Sequence, residues 1–181
     1  MEERKKFKVG AFFTCIRYDT VDFLIQSRYV VSGVYLPPRE GARSLVFNRE
    51  TLPHLQVGGL LEAAFACGAK ESFNIALIMR MQDFGRETRK NITEFTGTAF
   101  PASGRLALSL SGSVENAALD ETALRLPPAG LRRHFAECGI SALAFAPDGK
   151  KQILLSPDTL IRKFFSAHLI QAGRTPPGGE R

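Results

Sequence analysis

Between Phe135 and Ile161 the chain reads FAECGISALAFAPDGKKQILLSPDTLI, a string that few folds can house. An apolar run from Ile140 to Phe145 meets Pro147-Asp148-Gly149-Lys150, and a second run, Gln152 to Leu155, follows. Pro presets φ, Asp offers a side-chain acceptor and Gly accepts φ > 0, so these residues predict a hairpin turn. Ser156-Pro157-Asp158 then supplies an N-cap oxygen, Pro at the first helical position and an acid in the first turn. The helix that starts there runs to about Ile170 and sets Leu160, Ile161, Phe164, Phe165 and Leu169 along one stripe. A stripe so aromatic must dock on the body of the protein or on a partner. No pattern in this stretch points to catalysis.

The rest of the chain is strand-rich. Phe7 to Arg17 predicts a first strand, Tyr18-Asp19-Thr20 a tight connection, and Val21 to Arg28 a second strand. In that second strand Val21, Phe23 and Ile25 alternate with Asp22, Leu24 and Gln26, as a sheet with one mostly buried face requires. Tyr29 to Leu36 continues extended, with Gly33 as a bulge or bend, and Pro37 to Gly41 forms a surface loop. Leu45 to Phe47 and Leu52 to Val57 are short strands joined by the polar turn Asn48-Arg49-Glu50. Gly58 to Ala66 is helical, and its double Gly lacks the Gly-Lys-Ser/Thr of a phosphate loop. Phe73 to Met81 is apolar enough for a central strand, whereas the polar stretch Gln82 to Thr98 predicts a hairpin or irregular strand pair. Arg105 to Val114 alternates as one strand, with Leu106, Leu108 and Leu110 on one face and Ala107, Ser109 and Ser111 on the other. Leu124 to Pro128 is extended, and Ala129 to Glu137 is a short helix that Gly139 terminates. The tail after the last helix, residues 171 to 181, has the composition of disorder. Many short strands, few helices and no βαβ rhythm predict a mainly β fold, a small barrel or a pair of them.

Charge and composition narrow the function. The net charge is +6, but the basic residues are dispersed and interrupted by acids, which fits a solvated surface or an anionic protein partner. A small-barrel nucleic-acid binder is the alternative that this charge suggests. With no Trp and only Tyr18, Tyr29 and Tyr35 as tyrosines, the chain is poor in the stacking aromatics of such binders. Cys15, Cys67 and Cys138 are scattered and never spaced as CxxC, so small core residues are expected rather than disulfides or a zinc site. His54, His134 and His168 lie far apart, without metal-binding or triad context, and the serines at 109 and 111 have no nucleophile elbow and no partnered His. No catalytic residue, cofactor site or metal site is expected. No apolar run reaches the ~20 residues of a membrane span, and the N-terminus MEERKKFKVG lacks the apolar core of a signal peptide, so a cytoplasmic location is expected.

In order and spacing, the segments ending in Val114, NAALDETALRLPP, Cys138-Gly139-Ile140, Asp148-Gly149 and LLSPDTLI resemble the CheW-like family, the coupling proteins of bacterial chemotaxis. FFTCIRYDTVDFLIQSRYVV is similar to that family's opening strands, and FNRETLPHLQV to its Arg-containing turn and Pro-bearing strand. Ser156 stands where the family usually has Asp, Glu50 where it has Gly, Gln56 where Asp is common, and the segment from Val30 to Arg49 is shorter than usual. The resemblance implies one domain over residues 7–170, built as two small five-stranded β-barrel lobes. They would fall at about residues 7–66 and 73–156, with the C-terminal helix at 157–170. It also implies a non-catalytic adaptor that links a chemoreceptor's cytoplasmic tip to the regulatory domain of the histidine kinase CheA. Other CheW-like domains are further candidate partners, and nucleic acid and membrane insertion are not implied. A module of this kind repurposed for another protein partner is a second alternative. Carried over by position, Val30 and Ser32 would line the receptor groove and Arg49 would be the turn arginine.

Overall fold

Alternating apolar positions build two five-stranded sheets that share one core. The computed structural model describes residues 11–36, 42–68, 74–80, 84–119 and 121–171, so the expected loop at Pro37–Gly41 and most of the expected disordered tail lie outside the described residues. In chain order the elements are β1 (Ala11–Arg17), β2 (Val21–Gln26), β3 (Val30–Leu36), β4 (Ser44–Phe47), β5 (Glu50–Gln56), α1 (Gly58–Phe65) and β6 (Asn74–Arg80). There follow α2 (Arg86–Thr96), β7 (Arg105–Ser111), β8 (Ser113–Leu119), α3 (Arg132–Glu137), β9 (Ile140–Phe145), β10 (Lys151–Leu155) and α4 (Pro157–Gln171). Sheet 1 has the order β8-β1-β2-β10-β9, and sheet 2 the order β3-β6-β7-β5-β4. The mainly β fold, two five-stranded sheets with few helices, is as the sequence predicts.

Three apolar clusters explain the strand sequences. The largest lies between the sheets: Ile16, Val21, Phe23 and Ile25 of sheet 1 meet Leu55, Ile75, Leu77, Met79, Leu106, Leu108 and Leu110 of sheet 2. Phe13, Cys15, Leu24, Ala142 and Leu154 fill the far side of sheet 1, and Leu52, Ala76, Ile78 and Ala107 that of sheet 2. Strands β2, β6 and β7 therefore bury both faces, and only a near-continuous apolar run satisfies both clusters at once. The stripe on α4 docks as expected, placing Leu160, Ile161 and Phe164 in the inter-sheet core. Cys67 is buried there and Cys15 in the sheet 1 cluster, and burial pushes the Cys15 thiol up to about 11, leaving it protonated and unreactive at neutral pH.

The β9–β10 hairpin forms at the predicted turn. Gly149 takes φ +83°, the Lys150 amide donates to Asp148 Oδ1 at 2.9 Å, and Gly149 N donates to the Ala146 carbonyl at 2.8 Å. Lys150 then reaches across the sheet to Asp22 Oδ1 and to the Tyr18 carbonyl, both at 2.7 Å. This largely buried pair ties the turn to β2, along which β10 runs parallel.

Three expectations fail, each for a physical reason. Residues 82–98 are not a strand pair: α2 occupies most of the stretch, with Gly97 as its left-handed C-cap at φ +65°. Thr88, Ile92 and Thr96 form its buried face, while Lys90 and Glu94 form an i,i+4 pair on the outside. The stretch Arg105 to Val114 is not one strand. Gly112 breaks it, so that β7 belongs to sheet 2 and β8 pairs with β1 in sheet 1. The sheets also interleave instead of dividing near residues 66–73: sheet 1 takes the first two and last three strands, and the chain crosses over at Ser27–Tyr29 and at Gly112.

Gly112 has φ +109°, and a Cβ there would lie 2.5 Å from the Arg17 carbonyl oxygen, a backbone atom that cannot yield. Gly112→Ala should therefore cost about 3 kcal/mol of stability, read as a fall in the urea midpoint at unchanged m-value. A variant as stable as the parent would show that the crossover has another conformation open to it.

Candidate partner-binding surface

Strand β3 is an edge of sheet 2, and its pairing with β6 decides which residues it offers to solvent. The register shifts between Val30 and Ser32: Val30 faces Met79, while Ser32 faces Ile78. Met79 belongs to the inter-sheet cluster and Ile78 to the cluster on the far side of the sheet. A bulge thus puts Val30 and Ser32 on opposite faces, although their two-residue spacing predicts one face. Val30 packs half-buried against the inter-sheet core, and Ser32 does not join it there. The inter-sheet face of β3 continues instead through Gly33 and Tyr35, which pair with Leu77 and Ile75.

On β6 that face is sealed, with Ile75 1% and Leu77 0% exposed. One strand over it is open: Tyr35 is 64% exposed, and Gly33 sets no side chain beside Leu77, although a Cβ there would sit an ordinary 3.8 Å from Leu77 Cδ2. The result is a shallow apolar shelf beside the core. Its sequence signal is the pair Gly33 and Tyr35, at alternate positions in an edge strand.

Arg49 occupies the β4–β5 turn. Phe47 pairs with Glu50, so only Asn48 and Arg49 lie between, and both have positive φ, +49° and +66°. Such a two-residue turn favours Asn-Gly, and an Arg in its second position sits in a conformation that its Cβ disfavours. The strand registers put this turn at the same end of sheet 2 as Val30, together with Arg80 at the end of β6 and Arg105 at the start of β7. Arg80 and Arg105 are direct cross-strand partners, an arrangement of like charges that costs stability. Among the described residues, none of Arg49, Arg80 and Arg105 forms an ion pair. Arg28, just before β3, stacks on the Tyr29 ring 4.6 Å from its centroid. The end of sheet 2 beside the shelf is therefore strongly basic. The sequence shows these arginines as dispersed because they lie on four separate segments.

The histidines differ in their surroundings. His134 is exposed on α3, and His168 packs against Phe164 and Phe95 of the α2–α4 contact with its Nδ1 bonded to the Phe164 carbonyl. His54, on β5, is 4% exposed, and its Nε2 is hydrogen-bonded to Ser109 Oγ on β7, a partnership that sequence distance hides. Among the described residues no group of three or more His, Cys, Asp or Glu side chains could hold a metal ion, and no helix is long and apolar enough to cross a membrane.

No family model matches the chain, and no curated protein matches it in sequence. Among solved structures it is similar to the scaffolding protein TtCheW from Thermoanaerobacter tengcongensis, at 12% identity and a TM-score of 0.49, covering 83% of this chain and 92% of that one.

The strained Arg49 yields a clean test of what the residue is for. Arg49→Gly removes the left-handed strain at the cost of one more flexible residue in the unfolded chain, and should raise stability by about 0.5 kcal/mol. Loss of stability in urea unfolding would mean that the guanidinium supports the fold.

Proposed function

We propose that the chain is a non-catalytic adaptor of the CheW-like kind, joining a chemoreceptor signalling tip to the regulatory domain of a CheA histidine kinase. The reading rests on the family resemblance of the sequence segments and on a mainly β architecture of two five-stranded sheets, which that resemblance implies. The observation that carries it is the half-covered inter-sheet face of sheet 2, closed at β6 and open at β3, with a basic strand end beside it. An amphipathic helix could lay apolar side chains on Gly33 and Tyr35. Its carboxylates or terminal carbonyls would reach Arg49, Arg80 and Arg105, whose planar forks can donate to two oxygens each. In this reading Val30 anchors the base of the shelf, while Ser32 faces away from it.

The mechanism asked of such a protein is positional. It needs two rigid surfaces held at a fixed separation, and a core common to both sheets supplies that rigidity. Unpaired arginines make association fast and salt-sensitive, and the apolar shelf sets how long the complex lasts.

Titration of a labelled receptor signalling hairpin and of a CheA regulatory domain tests the proposal. Binding with a Kd of about 10 μM or tighter is expected for each, and salt should weaken at least the receptor contact. Arg49→Gly should lower receptor affinity about tenfold while leaving the protein as stable as before or more so, which separates binding from folding. The coupling role fails if neither partner binds at high micromolar concentration.

A further inference from the structure

The cysteines sit in different chemical surroundings. Cys15 and Cys67 are both buried, and burial pushes both thiols up, at Cys67 with help from the carboxylates of Asp19 and Glu62. Neither offers a nucleophilic sulfur at neutral pH. Cys138 is half-exposed, and the Lys163 ammonium donates to its Sγ at 3.4 Å. A partly accessible sulfur beside a cation is the setting in which cysteines oxidise selectively.

The fold holds this pair from both sides. Cys138 ends α3, where its amide donates to the His134 and Phe135 carbonyls at 3.1 and 3.0 Å. Gly139 follows with φ +80°, and a Cβ there would lie 3.6 Å from the Leu160 nitrogen. The Gly139 carbonyl accepts from the Ser156 amide at 2.8 Å, so the turn is seated on the start of α4. Lys163 stands about one helical turn beyond Leu160. The neighbouring acids are engaged elsewhere, Glu137 with Arg133 and Asp158 with Arg162. Among the described residues Lys163 thus has the Cys138 sulfur as its partner and no carboxylate.

We propose that Cys138 and Lys163 form a redox-controlled covalent link between α3 and α4, with hydrogen peroxide as the oxidant. In the first step the Cys138 sulfur attacks one peroxide oxygen and the O–O bond breaks. Sulfur loses two electrons, the peroxide is reduced to water, and Cys138 becomes a sulfenic acid. Lys163 Nζ, as the free amine, then attacks that sulfur. The S–N bond forms, the S–O bond breaks, and the hydroxyl leaves as water with a proton from the amine. The product is a sulfenamide, which two equivalents of a thiol reductant return to thiol and amine. The starting separation of 3.4 Å falls within the range of about 3–3.5 Å from which positioned groups react.

Capture by lysine has a chemical consequence. A sulfenic acid left uncaptured goes on to sulfinic acid, which thiols do not reduce, so the link keeps the oxidation reversible. It also fastens α3 to the helix whose Leu160, Ile161 and Phe164 fill the inter-sheet core. The pair shares no residue with the arginine end of sheet 2 and stands apart from the adaptor reading.

Mass spectrometry of the full chain under a stepwise excess of hydrogen peroxide provides the test. The parent should lose about 2 Da, and digestion should give the Cys138 and Lys163 peptides as one crosslinked species that dithiothreitol separates. Lys163→Arg keeps the positive charge but removes the nucleophilic amine. It should form no link and instead gain about 32 Da at Cys138, irreversibly. Cys138→Ser should show neither change. The inference is overturned if Cys138 of the parent passes to sulfinic acid with Lys163 unlinked, or if Cys15 or Cys67 oxidises first. The same mass loss in K163R, or no reaction at Cys138, overturns it equally.

Discussion

Everything in this fold depends on the inter-sheet core. Each sheet uses the other as its second layer, and the strands at the centre must be apolar twice over. That demand explains why β2, β6 and β7 carry almost unbroken apolar runs, and why the chain can cross between sheets only through very short links. Ser27–Tyr29 makes one crossing as a single 3-10 turn, and Gly112 makes the other as one residue pressed against the Arg17 carbonyl. Longer links would let the sheets drift apart, and with them any two binding surfaces that an adaptor has to hold in register.

The helices finish what the sheets leave open. Phe95 of α2 meets Phe164 and Phe165 of α4 edge-on, at 5.4 and 5.7 Å between centroids, and Arg43 stacks over the same ring at 4.9 Å. One side chain thus connects the last helix, the polar helix and the approach to β4. Lys150 plays the corresponding part at the other side, where its ammonium, paired with the buried Asp22, fixes the hairpin tip on β2. Removing either partner would strand a charge in the interior, which makes the contact specify register more than add stability.

What is legible in the sequence follows from what is locally determined. The hairpin at Pro147 to Lys150, the helix start at Ser156-Pro157-Asp158 and the leucine alternation of β7 each carry their own geometry within a few residues, and all three form. Helix α2 is illegible because its buried face is made partly of Thr88 and Thr96, which no hydrophobic pattern reveals; its clearer signals are the glycines at 85 and 97 that bracket it. The division of the strands between sheets is also hidden, since the break at Gly112 leaves the alternation intact on both sides. Of the site residues, Arg49 is legible as a turn residue. The separation of Val30 from Ser32 is not, because a one-residue bulge reverses a face without changing composition. The pairing of His54 with Ser109 comes from a parallel register between β5 and β7 that only the assembled sheet defines.

The departures from local consistency are not spread evenly. Sheet 1 has an unmet buried atom at Gln152 Oε1, but it lies within a strand that is otherwise well formed. Sheet 2 gathers departures that open onto solvent: an arginine in a left-handed turn, two arginines paired across strands and an uncapped helix start. Each costs stability that a neutral substitution would restore, and natural sequences keep such costs where function requires them. Full positive charges on flexible side chains suit a large acidic surface that arrives from solution. A sheet sealed on one face by its partner can carry such a surface at its end without disturbing the core, because the arginines there lie outside the layer that holds the protein together.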